Sequence, residues 1–355
     1  MLNLYNTQIE SFSVHMVGNK SKNGGLFISD FRHNLNDELT AILKEYLFKP
    51  FREKEENYFK FTHDIDLEFN VLYNIAGAVF DNPDLVHEKS RDIARHLFEQ
   101  SNHPHIKGGE IYVAYLENIT IDNEKVSALG IFKSEIKQEF LQFSPEKVND
   151  TSSIDLLLQQ GVNLNRLDKG CLIFNTKGEE GYKVLSIDAN KYDTKYWLDS
   201  FLGVEEFEDD HFYTKRYLKF CQDFAKDVVL PSEDKKQEVM FMNRAVNHFA
   251  SNDDFEESAF LNEVIDNPDL VPEFKHYKVE KAPKYSIEDL TTFPIADKAV
   301  SDARKKIKSI INLDTNVQIK MDFINPESAE RFIEKGWDQE KEMYYYLVYF
   351  NKEVK

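Results

Sequence analysis

The chain has 355 residues, of which 41% are hydrophobic and 30% are charged, and its formal net charge at pH 7 is −19. This composition excludes a disordered polymer, because the hydrophobic residues suffice for one large core or two ordinary ones. The charge argues against a protein that covers DNA with a broad basic surface, since the field of the whole molecule repels phosphate. We expect a folded, acidic protein of two modules.

No targeting or membrane segment is predicted. Residues 1–15 lack a basic region followed by an apolar core, so they do not predict a signal peptide. The apolar run Tyr344–Phe350 is far shorter than the ~20 residues that cross a bilayer. The two cysteines, Cys171 and Cys221, lie in apolar strand and helix patterns and are expected to be buried thiols. A cytoplasmic protein without a membrane partner is expected.

The first hundred residues predict two strands and three helices. Alternating apolar and polar residues indicate a strand over 8–16, and turn residues precede a short strand at 26–29. Asn36 is expected to cap a helix that Pro50 ends. A second helix is predicted over 67–80, and a third begins near Ser90.

Two β-hairpins follow Gly108-Gly109. The first joins strands 111–121 and 125–132 through a short polar turn, and the second joins strands 170–175 and 182–187. A phosphate-binding loop is not predicted, because the two glycines precede a strand rather than a helix. Sequential hairpins separated by helices favour an α+β fold over the alternative of a doubly wound parallel sheet.

The second half of the chain is predicted to be mainly helical. A helix over 210–228 ends near Pro231, and we place the boundary there, which gives modules of residues 1–230 and 231–355. The C-terminal module has predicted helices at 239–249, 255–265 and 296–311 and a proline-punctuated linker at 266–283. A β-α-β unit closes the chain, with strands 317–324 and 343–350 around a helix after Asn325-Pro326.

Several of these segments, in this order, resemble the bacterial nucleoid-associated (NdpA-type) protein family. The residues that carry the resemblance are IARHL (93–97), HPHIKGGE (103–110), GIFKSE (130–135), KGCLIFNT (169–176), GYKVLSID (181–188), YTKRYLKFCQDF (213–224) and the C-terminal run from Asn316 to Phe350. The resemblance implies a place in the nucleoid. Its implied partners are DNA, reached directly or indirectly, and other nucleoid proteins. It brings no set of catalytic residues.

Three histidines form a candidate metal site. His96, His103 and His105 lie with Glu99 around the end of one predicted helix, and imidazole and carboxylate can bind Zn²⁺. No HxxxH pair or cysteine pair accompanies them. A polar turn fixed by Pro104 is therefore the favoured interpretation.

The first hairpin brings two carboxylates towards a lysine. Antiparallel pairing places Glu110 opposite the end of the second strand, near Lys133 and Glu135. Such a group could hold Mg²⁺ beside a phosphate and support a metal-dependent phosphodiesterase. A solvated charge network at a sheet edge explains the same residues, and no further carboxylate at a clear spacing completes the site. We expect no enzymatic activity and no cofactor.

Basic residues cluster at two positions in this acidic chain, and these are the DNA-binding candidates. The first cluster is Lys215, Arg216 and Lys219, and the second is Arg304, Lys305, Lys306 and Lys308. Either could contact phosphates, although cations near a helix C-terminus also stabilise the helix dipole. Neither shows a helix-turn-helix pattern or interleaved aromatic residues.

The last predicted strand is rich in aromatic residues, namely Tyr344, Tyr345, Tyr346, Tyr349 and Phe350. Alternate side chains of a strand face opposite ways, so half of them should enter the core. The other half covers an ordinary sheet face or forms a homo-oligomer interface.

Together with the resemblance, which alone implies the place in the nucleoid, the sequence predicts a non-enzymatic, DNA-associated binding protein. The alternatives are an acidic adaptor that docks onto basic surfaces of DNA-handling enzymes and a metal-dependent phosphodiesterase.

Overall fold

The computed structural model describes residues 2–53, 57–148, 151–190, 196–232, 234–307, 309–320 and 332–352. Helices combine with antiparallel sheets, so the chain has the predicted α+β fold. It divides into two compact units, Met1–Phe207 and Glu208–Lys355. The sequence-based boundary followed residue 230. The division comes earlier because the helix Asp210–Phe224 buries its apolar side chains in the same core as the helices after it.

An eight-stranded antiparallel sheet forms the centre of the first unit. Its strands are β1 (Gln8–Val17), β2 (Leu26–Phe27), β3 (Tyr58–Phe61), β4 (Gly109–Ile121), β5 (Glu124–Ser134), β8 (Lys169–Phe174), β9 (Lys183–Asp188) and β10 (Val204–Glu206). They are arranged in the order β10-β3-β9-β8-β5-β4-β1-β2. Between β5 and β8 the chain forms a separate two-stranded ribbon from β6 (Lys137–Val148) and β7 (Thr151–Val162), which we had not predicted.

Both predicted hairpins are present. Strands β4 and β5 pair through a tight turn in which Asp122 and Asn123 have φ angles of 49° and 68°. Two left-handed residues are typical of the turn that matches the twist of paired strands. Strands β8 and β9 form the second hairpin.

Helices cover both faces of the sheet. Helices α2 (Val71–Asp81) and α3 (Val86–Gln100) pack on the face that carries Ile111 and Val113, whereas α1 (Asp37–Glu53) packs on the face that carries Tyr112 and Ala114. We call these the α2–α3 face and the α1 face. Because neither face of the central strands is exposed to solvent, β4 and β5 are apolar on both sides.

Two predicted helix boundaries are wrong. Pro50 does not end α1, which continues to Glu53. Phe51 is buried on the α1 face, and this packing offsets the hydrogen bond that proline removes. Helix α3 begins at Val86, ahead of Ser90. Val86 is also buried in the core, so tertiary packing extends the helix towards its N-terminus.

The second unit is a helical assembly around an aromatic core. Its helices are α4 (Asp210–Phe224), the single turn α5 (Leu230–Ser232), α6 (Lys235–Ser251), α7 (Glu257–Val264), α8 (Leu270–Lys281) and α9 (Asp297–Lys306). Phe220, Phe224, Phe249 and Phe260 are among its buried rings. The predicted linker at 266–283 contains α8, which forms because Leu270, Phe274 and Tyr277 reach this core.

Short hairpins complete the second unit. They pair β11 (Asp254–Glu256) with β12 (Thr292–Pro294), β13 (Ile310–Asn312) with β14 (Gln318–Lys320), and β15 (Ile333–Asp338) with β16 (Met343–Val348). The two strands of the expected β-α-β unit thus belong to different sheets, because each pairs with a local neighbour. The helix predicted after Asn325-Pro326 lies outside the described residues. Within the described ranges, no helix combines the length and apolarity that a bilayer span requires.

Candidate functional site

The hairpin register places Glu110 opposite Ser134, between Lys133 and Glu135, as the sequence predicted. The three charged side chains nevertheless do not meet. Register partners share a face of the sheet, and sequence neighbours lie on opposite faces. Glu110 therefore lies on the α1 face with Ser134, and Lys133 contacts Glu135 on the α2–α3 face. The two carboxylates of the predicted Mg²⁺ site are separated by the sheet itself.

Glu110 has a separate environment on the α1 face. It forms an ion pair with Lys137. Burial raises the pKa of the nearby Tyr46 to about 12, with a smaller contribution from the negative charges of Asp168 and Glu110. Burial also raises the pKa of Tyr112. Both phenols consequently remain protonated at neutral pH and are not suited to act as bases.

Lys133 begins a row of charged residues across the end of the sheet. Lys133 on β5 lies directly opposite Lys169 on β8, and Lys169 lies directly opposite Asp188 on β9. The Lys133 ammonium donates hydrogen bonds to the Glu135 carboxylate at 2.8 Å and to the Lys107 carbonyl at 2.7 Å. Lys169 Nζ lies 2.8 Å from Asp188 Oδ2, although the two groups are not oriented for a regular hydrogen bond. Both lysines are fully buried.

Asp168 and Asn190 complete the group. Asp168 Oδ2 accepts hydrogen bonds from the backbone N–H groups of Glu135 at 2.6 Å and Ile136 at 3.0 Å. Asn190 Nδ2 donates to Glu135 Oε2 at 3.0 Å, and the Asn190 backbone N–H donates to Asp188 Oδ1 at 2.8 Å. We call these six residues the charge network: Lys133, Glu135, Asp168, Lys169, Asp188 and Asn190.

The charge network is suited to hold strand ends in register. Glu135 and Asp188 are paired with lysines, and Asp168 accepts two backbone hydrogen bonds. No set of three or more His, Cys, Asp or Glu side chains among the described residues could hold a metal ion. Sequence reasoning missed Asp168, Lys169, Asp188 and Asn190. The register of the second hairpin, which opposes Lys169 to Asp188, was the signal that could have revealed part of this set.

The three predicted histidines lie in two different environments. His96 Nε2 is 3.0 Å from the Phe201 carbonyl oxygen, and burial lowers the pKa of His96. The backbone N–H of His105 donates to His103 Nδ1, and their rings are 5.1 Å apart. His96 also lines a cleft of about 470 Å³ together with His63 and Asp199. The contact between His103 and His105 matches a polar turn, whereas His96 lies within α3 and contacts a distant part of the chain. Among the described residues, these histidines belong to no group that could hold a metal ion.

A further histidine is buried between β1 and α3. His15 Nδ1 accepts the backbone N–H of Ser29 at 3.1 Å, and Nε2 lies 2.8 Å from Ser90 Oγ. Burial is the largest cause that lowers the pKa of His15 to about 4, and the neighbouring His87 and Arg91 lower it further. The imidazole is therefore neutral at physiological pH.

The two basic clusters lie on α4 and α9, which pack against each other within the second unit. On α4, Lys219 is 2.7 Å from Asp223, and the Arg216 guanidinium lies 4.9 Å from the centre of the Phe212 ring.

On α9, Lys305 is 3.2 Å from Asp302, and Arg304 donates to Asn247 at 3.3 Å. Arg304, Lys305 and Lys306 are all exposed at the end of the helix. Lys308 lies outside the described residues.

The comparison with known families assigns this α+β chain to a class of nucleoid-associated proteins. The family model for the nucleoid-associated protein YejK matches residues 13–344, and the chain belongs to that family. The match includes most of both units and agrees with the resemblance seen in the sequence. Its role is therefore associated with the nucleoid. No curated protein matches the chain.

Proposed function

We propose that the chain is a non-enzymatic protein that contacts nucleoid DNA directly through the end of α9. The observation that carries this proposal is the group of three consecutive exposed cations, Arg304, Lys305 and Lys306, on a chain of the nucleoid-associated family. Exposed guanidinium and ammonium groups neutralise phosphates and release counterions, which supplies sequence-independent affinity.

The cluster on α4 is the weaker candidate. Lys215 and Arg216 are only partly exposed, Arg216 stacks on Phe212, and Lys219 is paired with Asp223. Contacts of this kind also occur on α9, where Lys305 contacts Asp302. The two clusters therefore differ in exposure, because all three α9 cations are exposed. We therefore place the main contact on α9 and a supporting contact on α4.

The proposal is tested by measuring DNA retention over a salt series. Replacing Arg304, Lys305 and Lys306 by alanine should weaken binding and lower the slope of log K against log salt by roughly 3, because each phosphate contact contributes about 0.9. A matched control removes the same charge from exposed lysines elsewhere, with Lys22, Lys125 and Lys275 replaced by alanine. The control should keep the parental slope.

Equal losses in both variants would show that only overall charge matters and would contradict a local DNA contact.

The proposal that the chain is non-enzymatic is supported by the pairing of Lys133 with Glu135 and of Lys169 with Asp188, and by the separation of Glu110 from Glu135. In the same mixtures, Mg²⁺ or Mn²⁺ should leave the DNA uncut. Cleavage that is lost in Glu135→Gln while the fold is kept would refute this part of the proposal.

A second candidate is the acidic adaptor. It is favoured by the sequence counts, which give both units a net negative charge. An adaptor should remain bound to an immobilised basic protein after nuclease treatment, and its binding should survive the alanine substitutions on α9. Loss of every such association after nuclease treatment would leave direct DNA binding as the explanation.

A further inference from the structure

The ribbon formed by β6 and β7 exposes a continuous apolar face. Direct register partners share a face, and the pairs Leu141 with Leu158 and Phe143 with Leu156 lie side by side. Ile154 follows on the same face. The exposed fractions of these five side chains are 55–72%. We call them the ribbon face.

An isolated ribbon of this kind lacks a stabilising partner layer. Two-stranded hairpins are marginally stable in water, and a hydrophobic sheet face normally packs against further strands or a helix. The base of the ribbon is anchored, because Val162 packs on the α1 face and Lys137 pairs with Glu110. The ribbon face itself remains exposed in the single chain.

We propose that the ribbon face pairs with the ribbon face of a second copy of this chain. Two such ribbons packed face to face form a two-layer, four-stranded sandwich, with sheets about 10 Å apart. A two-fold axis uses the same surface on both copies, so the contact closes at a dimer. This assembly gives each ribbon the apolar layer that it lacks.

The area is adequate for this partner. The five side chains expose about 500 Å² in total, because four of them are aliphatic and lie at or below the low end of the ~150–250 Å² that a buried aromatic side chain covers. Mutual burial by two copies therefore removes about 1,000 Å² from water, which is the smallest area expected of a specific protein interface.

The charge of the ribbon disfavours nucleic acid and anionic lipid as occupants. Residues 137–162 contain two basic and four acidic residues. Of the two basic residues, Lys137 is already paired with Glu110. A phosphate-bearing surface would gain little from this segment, whereas the five side chains of the ribbon face carry no charge and exclude water when they pack against an identical face.

The test is the oligomeric state of the purified full chain without DNA. Sedimentation over about 1–100 µM should show a monomer–dimer equilibrium, because association depends on protomer concentration. Phe143→Thr, Leu156→Thr and Leu158→Thr together keep β-forming residues and should weaken dimerisation at least about 100-fold. Raising the salt concentration should not dissociate the parent dimer, since the contact is apolar.

A matched control replaces three apolar residues of the first unit whose exposed fractions, 69–80%, exceed those of the three substituted ribbon residues. The control substitutions are Phe27→Thr, Phe31→Thr and Ile65→Thr, and this variant should dimerise like the parent. If the ribbon substitutions disturb folding, a second variant tests whether dimerisation requires the ribbon. Lys137 and Val162 are register partners, so an Asn-Gly turn can join them and delete the ribbon between them. This variant should be a folded monomer.

Three results would overturn the proposal. The first is a parent chain that stays monomeric at about 100 µM, a concentration well above the dissociation constants of typical stable complexes. The second is a dimer that persists in both ribbon variants. The third is an open series of assemblies larger than a dimer. DNA retention does not enter this experiment, so its outcome is independent of the proposed function.

Discussion

Removing the charge of Lys133 while keeping most of its side chain should strongly destabilise the first unit. Lys133→Met retains an apolar chain of similar length but leaves the Glu135 carboxylate without its cation and the Lys107 carbonyl without its donor. The side chains of Lys133 and Glu135 are 0% and 3% exposed, so water does not replace the lost contacts. Breaking a buried pair in this way costs about 3–5 kcal/mol.

The second step of the same experiment is a double-mutant cycle. Lys133→Met combined with Glu135→Gln removes both charges, so no buried charge remains unpaired. The double variant should therefore lose less free energy of unfolding than the two single variants lose together. The difference should be about 1–3 kcal/mol, the range typical of coupled contacts. A matched control is Lys177→Met. Its exposed ion pair with Glu180 should contribute less than about 1 kcal/mol.

Unfolding of the first unit can be followed separately. The chain has two tryptophans, the buried Trp197 in the first unit and Trp337 in the second. In a Trp337→Phe background, fluorescence in urea reports on the first unit alone, and free energies are comparable when the slope with urea is unchanged. A loss below about 1 kcal/mol for Lys133→Met, or strict additivity in the cycle, would refute the argument that these charges are mutually dependent.

Two further predictions concern the same unit. Gly109→Ala should disrupt the sheet and lower the urea midpoint, because the new Cβ would lie 1.7 Å from the Ser134 carbonyl oxygen. The control Gly25→Ala should leave the urea midpoint nearly unchanged, because its new Cβ would have nothing within 4 Å. Equal midpoints for the two variants would contradict this packing. The folded-state pKa of His15 is about 4 against 6.5 for the unperturbed group, so the unfolded state binds more protons between these values and stability should fall as pH drops from about 6.5 towards 4. His15→Gln should flatten this pH dependence in urea titrations, and an unchanged pH profile would show that other groups cause it.

The sequence predicts the hairpins well because their determinants are local. A polar turn at 122–124 fixes which residues of β4 and β5 are opposite, and from this alone Glu110 falls beside Lys133 and Glu135. The error was to combine the three residues into one group. Which face each side chain occupies depends on the alternation of the strand. Because Glu110 and Lys133 are one position out of phase in the paired strands, that alternation places them on opposite faces of the sheet.

Other features depend on distant packing and are harder to predict. Helix α1 continues through Pro50 because Phe51 is buried on the α1 face. Helix α8 forms in a segment with three prolines because its apolar residues reach the core of the second unit. Single-residue preferences disfavour both helices. Burial of large apolar side chains, at ~1.5–3 kcal/mol each, outweighs these local costs.

The distribution of lysines connects the fold with the proposed DNA contact. Lys133 and Lys169 are buried beside Glu135 and Asp188, so each pair contributes little to the surface field, and the first unit has a net negative charge. A phosphate approaching that unit meets mainly carboxylates. Direct binding to DNA therefore requires a place where cations are close together and exposed, because a short-range cluster can overcome a repulsive field that salt screens within ~8–10 Å. Among the described residues, the end of α9 has three consecutive exposed cations.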